Sequence, residues 1–310
     1  MRRRDFVTLL SGATAWAATA RAQEPRRVIG ILSSMSYGAI PGAEPAFIQG
    51  LKNTGFIDGK NLRIEWRWAE GQYNRLSSLA GELAGGNVAV IVALDAPSSL
   101  AAKATTGTIP IVFVTGADPV KLGLVDSFNR PGGNLTGVSN FVASLGPKQL
   151  ELLQELLPGR GRVAFLVNPS NLNSRIDRHE IQAAADALGQ HLEVLTASTE
   201  NELDEAFTAM VRERIDALLV KPDPFFIDRR KRLVALASHH AVPAIYSLPV
   251  FVQVGGLMSY GADLAHAYQH AGIYVGKILR GAKPADLPIQ QTIKFELVIN
   301  VTTAKTTGSE

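Results

Sequence analysis

The chain has 310 residues, 19% of them charged, with a formal net charge of +3 and no cysteine. The missing cysteine excludes disulfides, zinc-thiolate sites and a lipid-anchored N-terminal cysteine, and the length suits two domains of ordinary size. The positive excess belongs to the first residues: removing Met1 through Ala22 takes away Arg2, Arg3, Arg4 and Arg21 but only Asp5, so the remainder is neutral and gives no support for a nucleic-acid or membrane surface.

Arg3-Arg4-Asp5-Phe6, a mildly apolar run to Thr19 and the A-x-A site Ala20-Arg21-Ala22 read as a twin-arginine export signal, residues 1–22, cleaved after Ala22. The apolar run falls short of the roughly 20 residues that span a bilayer. A mature periplasmic chain starting at Gln23, with no direct membrane insertion, is expected.

From residue 28 onward the pattern is strand, loop, helix, repeated. Strands are predicted at 28–32, 61–68, 88–93 and 110–114, with helices at 47–51, at 76–83 and in the Ala-rich stretch that Ser98 or Ser99 can cap. Pro131-Gly132-Gly133-Asn134 is a strong turn signal. The run 135–138 after it is expected to carry the chain into a second domain. There, strands are predicted at 163–167, 191–196, 217–221 and 242–246, and helices at 149–157 (stopped by Pro158-Gly159), 181–188, 203–211 and 233–238. Thr199 with Glu202 forms a capping box before 203. A strand at 256–260, a long helix at 264–279 and a strand at 295–301 read as return crossings. Parallel strands separated by helices imply an α/β fold with helices on both faces of each sheet.

Ligands bind beyond the carboxyl ends of parallel strands. The loops at those ends carry hydroxyls and amides (Ser33, Ser34, Thr115, Asn140, Asn168, Ser170, Asn173), carboxylates (Asp95, Asp118, Asp223) and aromatics (Tyr37, Phe225, Tyr246, Tyr260). Such a set can surround a small polar molecule, stack its apolar part and pair an ammonium with Asp118 or Asp95. Each Asp or Ser can equally cap the next helix. No G-x-G-x-x-G follows a strand, and neither a P-loop nor G-x-S-x-G occurs. Neither a cofactor nor a catalytic residue is expected. His266 and His270 have helical spacing but lack a third metal ligand. Arg229-Arg230-Lys231-Arg232 reads as a solvated helix face, and Trp66 with Trp68 as sheet packing.

Across nearly its whole length the chain resembles the substrate-binding proteins of ABC transporters related to tryptophan-binding proteins. The resemblance rests on the leader, Glu65-Trp66-Arg67-Trp68-Ala69-Glu70-Gly71, Thr108-Ile109-Pro110-Ile111-Val112-Phe113, Asp118-Pro119-Val120, and Arg130-Pro131-Gly132-Gly133-Asn134-Leu135-Thr136-Gly137-Val138. It also rests on Leu166-Val167-Asn168-Pro169, Pro222-Asp223-Pro224-Phe225-Phe226, Gly256-Leu257-Met258-Ser259-Tyr260-Gly261 and Lys294-Phe295-Glu296-Leu297-Val298-Ile299-Asn300. It implies a type I periplasmic-binding-protein fold: two Rossmann-like lobes with parallel sheets, joined by three crossovers near Val138, Tyr260 and Leu287. Residues 23–138 with 261–286 would form the first lobe and residues 139–260 with 287–310 the second. Relatives continue past Thr303-Ala304-Lys305 with an apolar segment, where this sequence reads Thr306 to Glu310. The implied function is closure on a small solute such as an amino acid and its delivery to an ABC permease in the inner membrane. The ligand set expected is Ser33, Ser34, Tyr37, Asp95, Thr115, Asp118, Asn140, Asn168, Ser170, Phe225 and Tyr246. Two other classes fit the same residues, an exported enzyme and a ligand-sensing receptor lobe.

Overall fold

The computed structural model describes residues 26–307 apart from 141–144, 158–160 and 292–293. The export signal and the Pro158-Gly159 helix stop lie outside the described residues. The first half runs β1 (Arg27–Ser33), α1 (Ala43–Asn53), β2 (Leu62–Trp68), α2 (Leu76–Gly85), β3 (Val90–Ala93), α3 (Ala96–Thr105), β4 (Ile111–Thr115) and β5 (Leu135–Ser139). β3, β4 and β5 are buried at every position. That is why β3 and β4 read as unbroken apolar runs: helices cover both faces of a parallel sheet.

The second half runs α4 (Gly146–Leu156), β6 (Val163–Val167), α5 (Ser174–Leu188), β7 (Leu192–Thr196), α6 (Glu200–Arg212), β8 (Ala217–Val220), α7 (Pro224–Asp228), α8 (Arg230–His239), β9 (Ala244–Tyr246), α9 (Pro249–Val252) and β10 (Met258–Ala262). Then come α10 (Leu264–Leu279), β11 (Gln290–Gln291), β12 (Phe295–Ile299) and α11 (Val301–Thr307). Two six-stranded sheets result, ordered β11-β5-β4-β3-β1-β2 and β12-β10-β9-β8-β6-β7. All pairs are parallel except β10 with β12. Each half thus repeats one doubly wound order, with a switch point between β1 and β3 and between β6 and β8.

The chain crosses between sheets three times, after β5, after β10 and between β11 and β12. The third crossing falls later than Leu287 because Gln290 and Gln291 pair with Val138 and Ser139 and hold the chain on the first sheet. The strand expected at 256–260 begins at Met258, and Val301 belongs to α11 instead of β12. The cap of α3 is Asp95, whose side chain accepts from Ser98 N while Ser98 bonds back, so Ser98 is the third helical residue and not the cap. Thr199 does cap α6, but the Glu202 carboxylate turns to Ser198 N and Oγ, so only half of the expected box forms.

α10 returns to the first sheet and packs on α1, with glycine at the contact on both helices. A Cβ on Gly272 would land on the Phe47 carbonyl, and one on Gly50 on the Gln269 carbonyl. Neither backbone atom can move without its helix. Gly272→Val is therefore expected to destabilise the fold by about 3 kcal/mol, the upper range for overpacking, read as a loss of about 6 °C or more in the thermal midpoint. An unchanged midpoint would mean the helices are further apart than described. No helix among the described residues is long and apolar enough to cross a membrane.

Candidate functional site

The strand-end loops of both sheets line one cavity of about 680 Å³, counted with its open mouth. The first lobe supplies Met35 and Ile40 after β1, Leu94 and Asp95 after β3, Val114, Gly116 and Ala117 around the end of β4, and Asn140 after β5. The second supplies Asn171 and Asn173 after β6, Asp177 in the first turn of α5, Lys221 and Pro222 after β8, and Leu248 after β9. Leu264 and Tyr268 of α10 complete the wall. Its first-lobe side is mainly apolar, and the second-lobe side holds an acid, a base and two amides.

Asp177 and Lys221 are both buried. Burial pushes the Asp177 carboxyl up to about 6, although Lys221 pulls it down. Burial likewise lowers the Lys221 ammonium, against the pull of Asp177 and Glu180. Both move toward neutrality because loss of water outweighs their attraction, the usual balance for buried charges. Asn173 Nδ2 donates to Asp177 Oδ2 at 2.7 Å, while Asn173 Oδ1 and Asn140 Oδ1, both buried, have no hydrogen-bond partner. Besides the Asp95 carboxylate, the cavity is therefore bordered by the Asp177 carboxylate and two unsatisfied amide oxygens. α3 and α5 also begin at its wall; helix N-termini favour a negative group, and at α3 the Asp95 carboxylate already fills that place.

Of the expected ligand set, Asp95 and Asn140 line the cavity, as does Asn173 of the wider loop set. Asp95 is already committed: its carboxylate accepts from Ser33 Oγ (3.0 Å), Ser34 N (2.7 Å), Ser34 Oγ and Ser98 N (2.8 Å). Ser33 and Ser34 thus lie beneath the wall as a clamp that ties β1 to the start of α3. Asn168 borders a smaller neighbouring pocket with Asn171, Asp177 and Lys221.

The other expected residues are not brought to the cavity wall, each for a local reason. Thr115 Oγ1 accepts from Ala117 N, and Asp118 Oδ1 from Val120 N and Lys121 N, which uses both in closing turns. Ser170 is exposed and Tyr37 is 76% exposed, edge-on to Trp68. Phe225 turns under the Arg229 guanidinium, 4.4 Å from its ring. Tyr246 is fully buried and stacked on Phe251 within the second lobe. Trp66 and Trp68 stack on each other at 5.4 Å. His266 and His270 rings lie 4.3 Å apart, and no group of three metal-binding side chains occurs among the described residues.

Asp177, Lys221 and Asn171 line the cavity without having been expected from the sequence. Lys221 carried a legible signal, a lysine closing the buried run Ala-Leu-Leu-Val just before Pro222.

This geometry, two like lobes whose strand ends share a cavity, is that of a type I periplasmic binding protein. Residues 28–309 match the family described as ABC transporter substrate binding protein. The chain belongs to that family. As a substrate-binding protein it is the solute-binding component of an ABC importer, a class that works outside the cytoplasm, binds small ligands and delivers them to ABC permeases. It is 29% identical over 277 residues to a tyrosine-binding protein of Clostridioides difficile (strain R20291), covering 89% of this chain and 79% of that one. It superposes on the ABC domain from Streptococcus pneumonia in complex with L-Trp with a TM-score of 0.84 at 26% identity, covering 92% of this chain and 95% of that one. A ligand-free, open substrate binding protein with adhesive properties from Clostridium difficile gives 0.66 at 27% identity, with the same coverage of 92% and 95%.

Proposed function

We propose that the solute is an L-α-amino acid with an apolar or aromatic side chain, held as a zwitterion between the lobes. The observation that carries this is the buried pair of opposite charges, Asp177 and Lys221, at one end of a cavity whose other end is apolar. The three N–H groups of an ammonium find three acceptors in Asp177, Asn173 Oδ1 and Asn140 Oδ1. A carboxylate finds Lys221 and the start of α5. The side chain rests on Met35, Ile40, Leu94 and Tyr268. The relatives named for tyrosine and bound to L-Trp support the same class.

Because the two ends of the ligand engage different lobes, it favours the closed arrangement. Turning a 1:99 population into 99:1 needs about 5.5 kcal/mol of preference for one state, within reach of two charge-assisted contacts and a buried side chain. At near-equal identity the chain superposes better on the L-Trp complex than on the open form, which supports a closed arrangement here. In the same reading the first lobe comprises residues 23–139 with 263–291, the second the remainder, and export to the periplasm proceeds through Arg3-Arg4 with cleavage after Ala22. The protein carries its ligand without transforming it.

The test is a thermal-shift screen of the chain from Gln23 against the common amino acids, their decarboxylated amines and their deaminated acids. One apolar or aromatic L-amino acid at 100 times its dissociation constant should add about 2.7 kcal/mol, a rise of about 5 °C, and its truncated analogues much less. Affinity should fall as pH drops below about 6. Asp177 must ionise to meet the ammonium, and binding lowers its pKa, so the contribution is full above the ligand-free value and shrinks about tenfold per pH unit beneath it. Stabilisation by uncharged solutes alone, or affinity flat from pH 7 to 5, would refute the reading.

A further inference from the structure

Tyr73, in the loop after β2, reaches across the cleft, and its hydroxyl donates to Asp223 Oδ2 of the second lobe at 2.8 Å. Burial first, then the Asp223 charge, raises this phenol well above its usual range, so it stays a donor. Asp223 is buried, caps α7 through Phe225 N and Phe226 N, and accepts from Asn168 Nδ2 at 3.1 Å and Asn171 Nδ2 at 2.8 Å. Asn171 lines the ligand cavity, and its Oδ1 accepts from Asn173 N at 3.0 Å. Asn173 in turn donates to Asp177. An unbroken chain of hydrogen bonds therefore runs from a first-lobe phenol to the carboxylate assigned to the ligand ammonium.

Other polar contacts cross the cleft. Ser36 N and Oγ donate to Asp228, and Lys121 pairs with Glu180 at 2.6 Å. The first is half-buried, the second is exposed at the lysine, and neither Asp228 nor Glu180 borders the cavity. Among the described residues, the Tyr73 contact is the one that joins closure to the ligand-bearing wall.

We infer that Tyr73 is a positioning residue that reads occupancy of the cavity: a ligand that fixes Asp177 and Asn173 fixes Asn171 and Asp223 in the geometry that accepts the phenol, and the phenol holds the lobes shut. This rests on the amino-acid reading above. Tyr73→Phe keeps the ring packed on the first-lobe core and removes the hydroxyl, which donates to Asp223 and accepts from Asn168 Nδ2 at the long distance of 3.5 Å.

With L-Trp and L-Tyr as probes, the release rate should rise about tenfold, as expected for losing a hydrogen bond to a charged group. The association rate should hold. Combined with Asn171→Ala the effect should be less than additive, whereas with Ser36→Ala it should add. An unchanged release rate, or additivity with Asn171→Ala, would overturn the inference. A second arm needs no ligand. The chain has no cysteine, so Lys52→Cys and Val211→Cys place one spin label on each lobe. Tyr73→Phe should move their distance distribution toward the open form, and an unchanged distribution counts against the latch. If the unaltered chain ignores both probes, the amino-acid reading fails, and the label distances still decide the role of Tyr73.

Discussion

Asp177→Asn is expected to weaken amino-acid binding by about two to three orders of magnitude while making the ligand-free protein more stable. Truncating one partner of a buried, hydrogen-bonded charge pair costs about 2–5 kcal/mol. The ammonium would lose the carboxylate assigned to it and retain two neutral amide oxygens. The gain in stability follows from the same burial. A carboxyl raised from 3.8 to about 6 favours its neutral form in the fold. Its contribution is therefore most favourable below the unfolded value and declines as pH rises from about 4 to about 6. The loss is on the order of 3 kcal/mol above that window. Asparagine resembles the neutral form at every pH, so the stabilising effect should be present at pH 7.5 and vanish near pH 4. Titration calorimetry and thermal melts at the two pH values check both halves. Tight binding by the asparagine variant, or a destabilised ligand-free chain at pH 7.5, would contradict the assignment.

Lys221→Met should cost a similar factor in affinity, with a different dependence on the ligand. The lysine is assigned to the carboxylate, so the variant should lose the amino acid yet bind the corresponding decarboxylated amine as well as the unaltered chain does. Asp177→Asn should show the mirror image, being indifferent to the deaminated acid. Removing the ammonium also takes away the charge that pulls the Asp177 carboxyl down. That carboxyl should then titrate above about 6, moving the acid limit of any residual binding upward. Carbon-13 NMR of the Asp177 carboxyl measures this directly. Equal losses for the amine and the amino acid would mean that Lys221 supports the wall without touching the ligand.

The inner strands were legible because β3, β4, β6 and β8 are buried on both faces and leave continuous apolar runs. What blurred was polar sequence taking part in tertiary structure. The first two turns of α5 carry Arg175, Asp177, Arg178 and His179, so periodicity began the helix at Ile181, seven residues late. That shift hid Asp177, although its spacing of four from Asn173 puts the two on one helix face. β11 is a pair of glutamines held by backbone pairing and by the Gln290 Nε2 hydrogen bond to the Tyr274 hydroxyl, which no apolar pattern could reveal. At the site, strand-end loops do line the cavity, and which of their side chains face it was not visible. Asp118 heads Asp-Pro-Val-Lys and closes a turn, and Asp95 caps α3. Which carboxylate points across the cleft depends on the opposite lobe.

A crystal structure of the chain grown with L-tyrosine or L-tryptophan tests the central claim most directly. The ligand should lie in the cavity between the two sheets, its ammonium within about 2.7–3.2 Å of Asp177 and its carboxylate on Lys221. The side chain should rest against Met35, Leu94 and Tyr268 of the first lobe. A ligand bound to one lobe only, or away from Asp177 and Lys221, would contradict closure around a zwitterion.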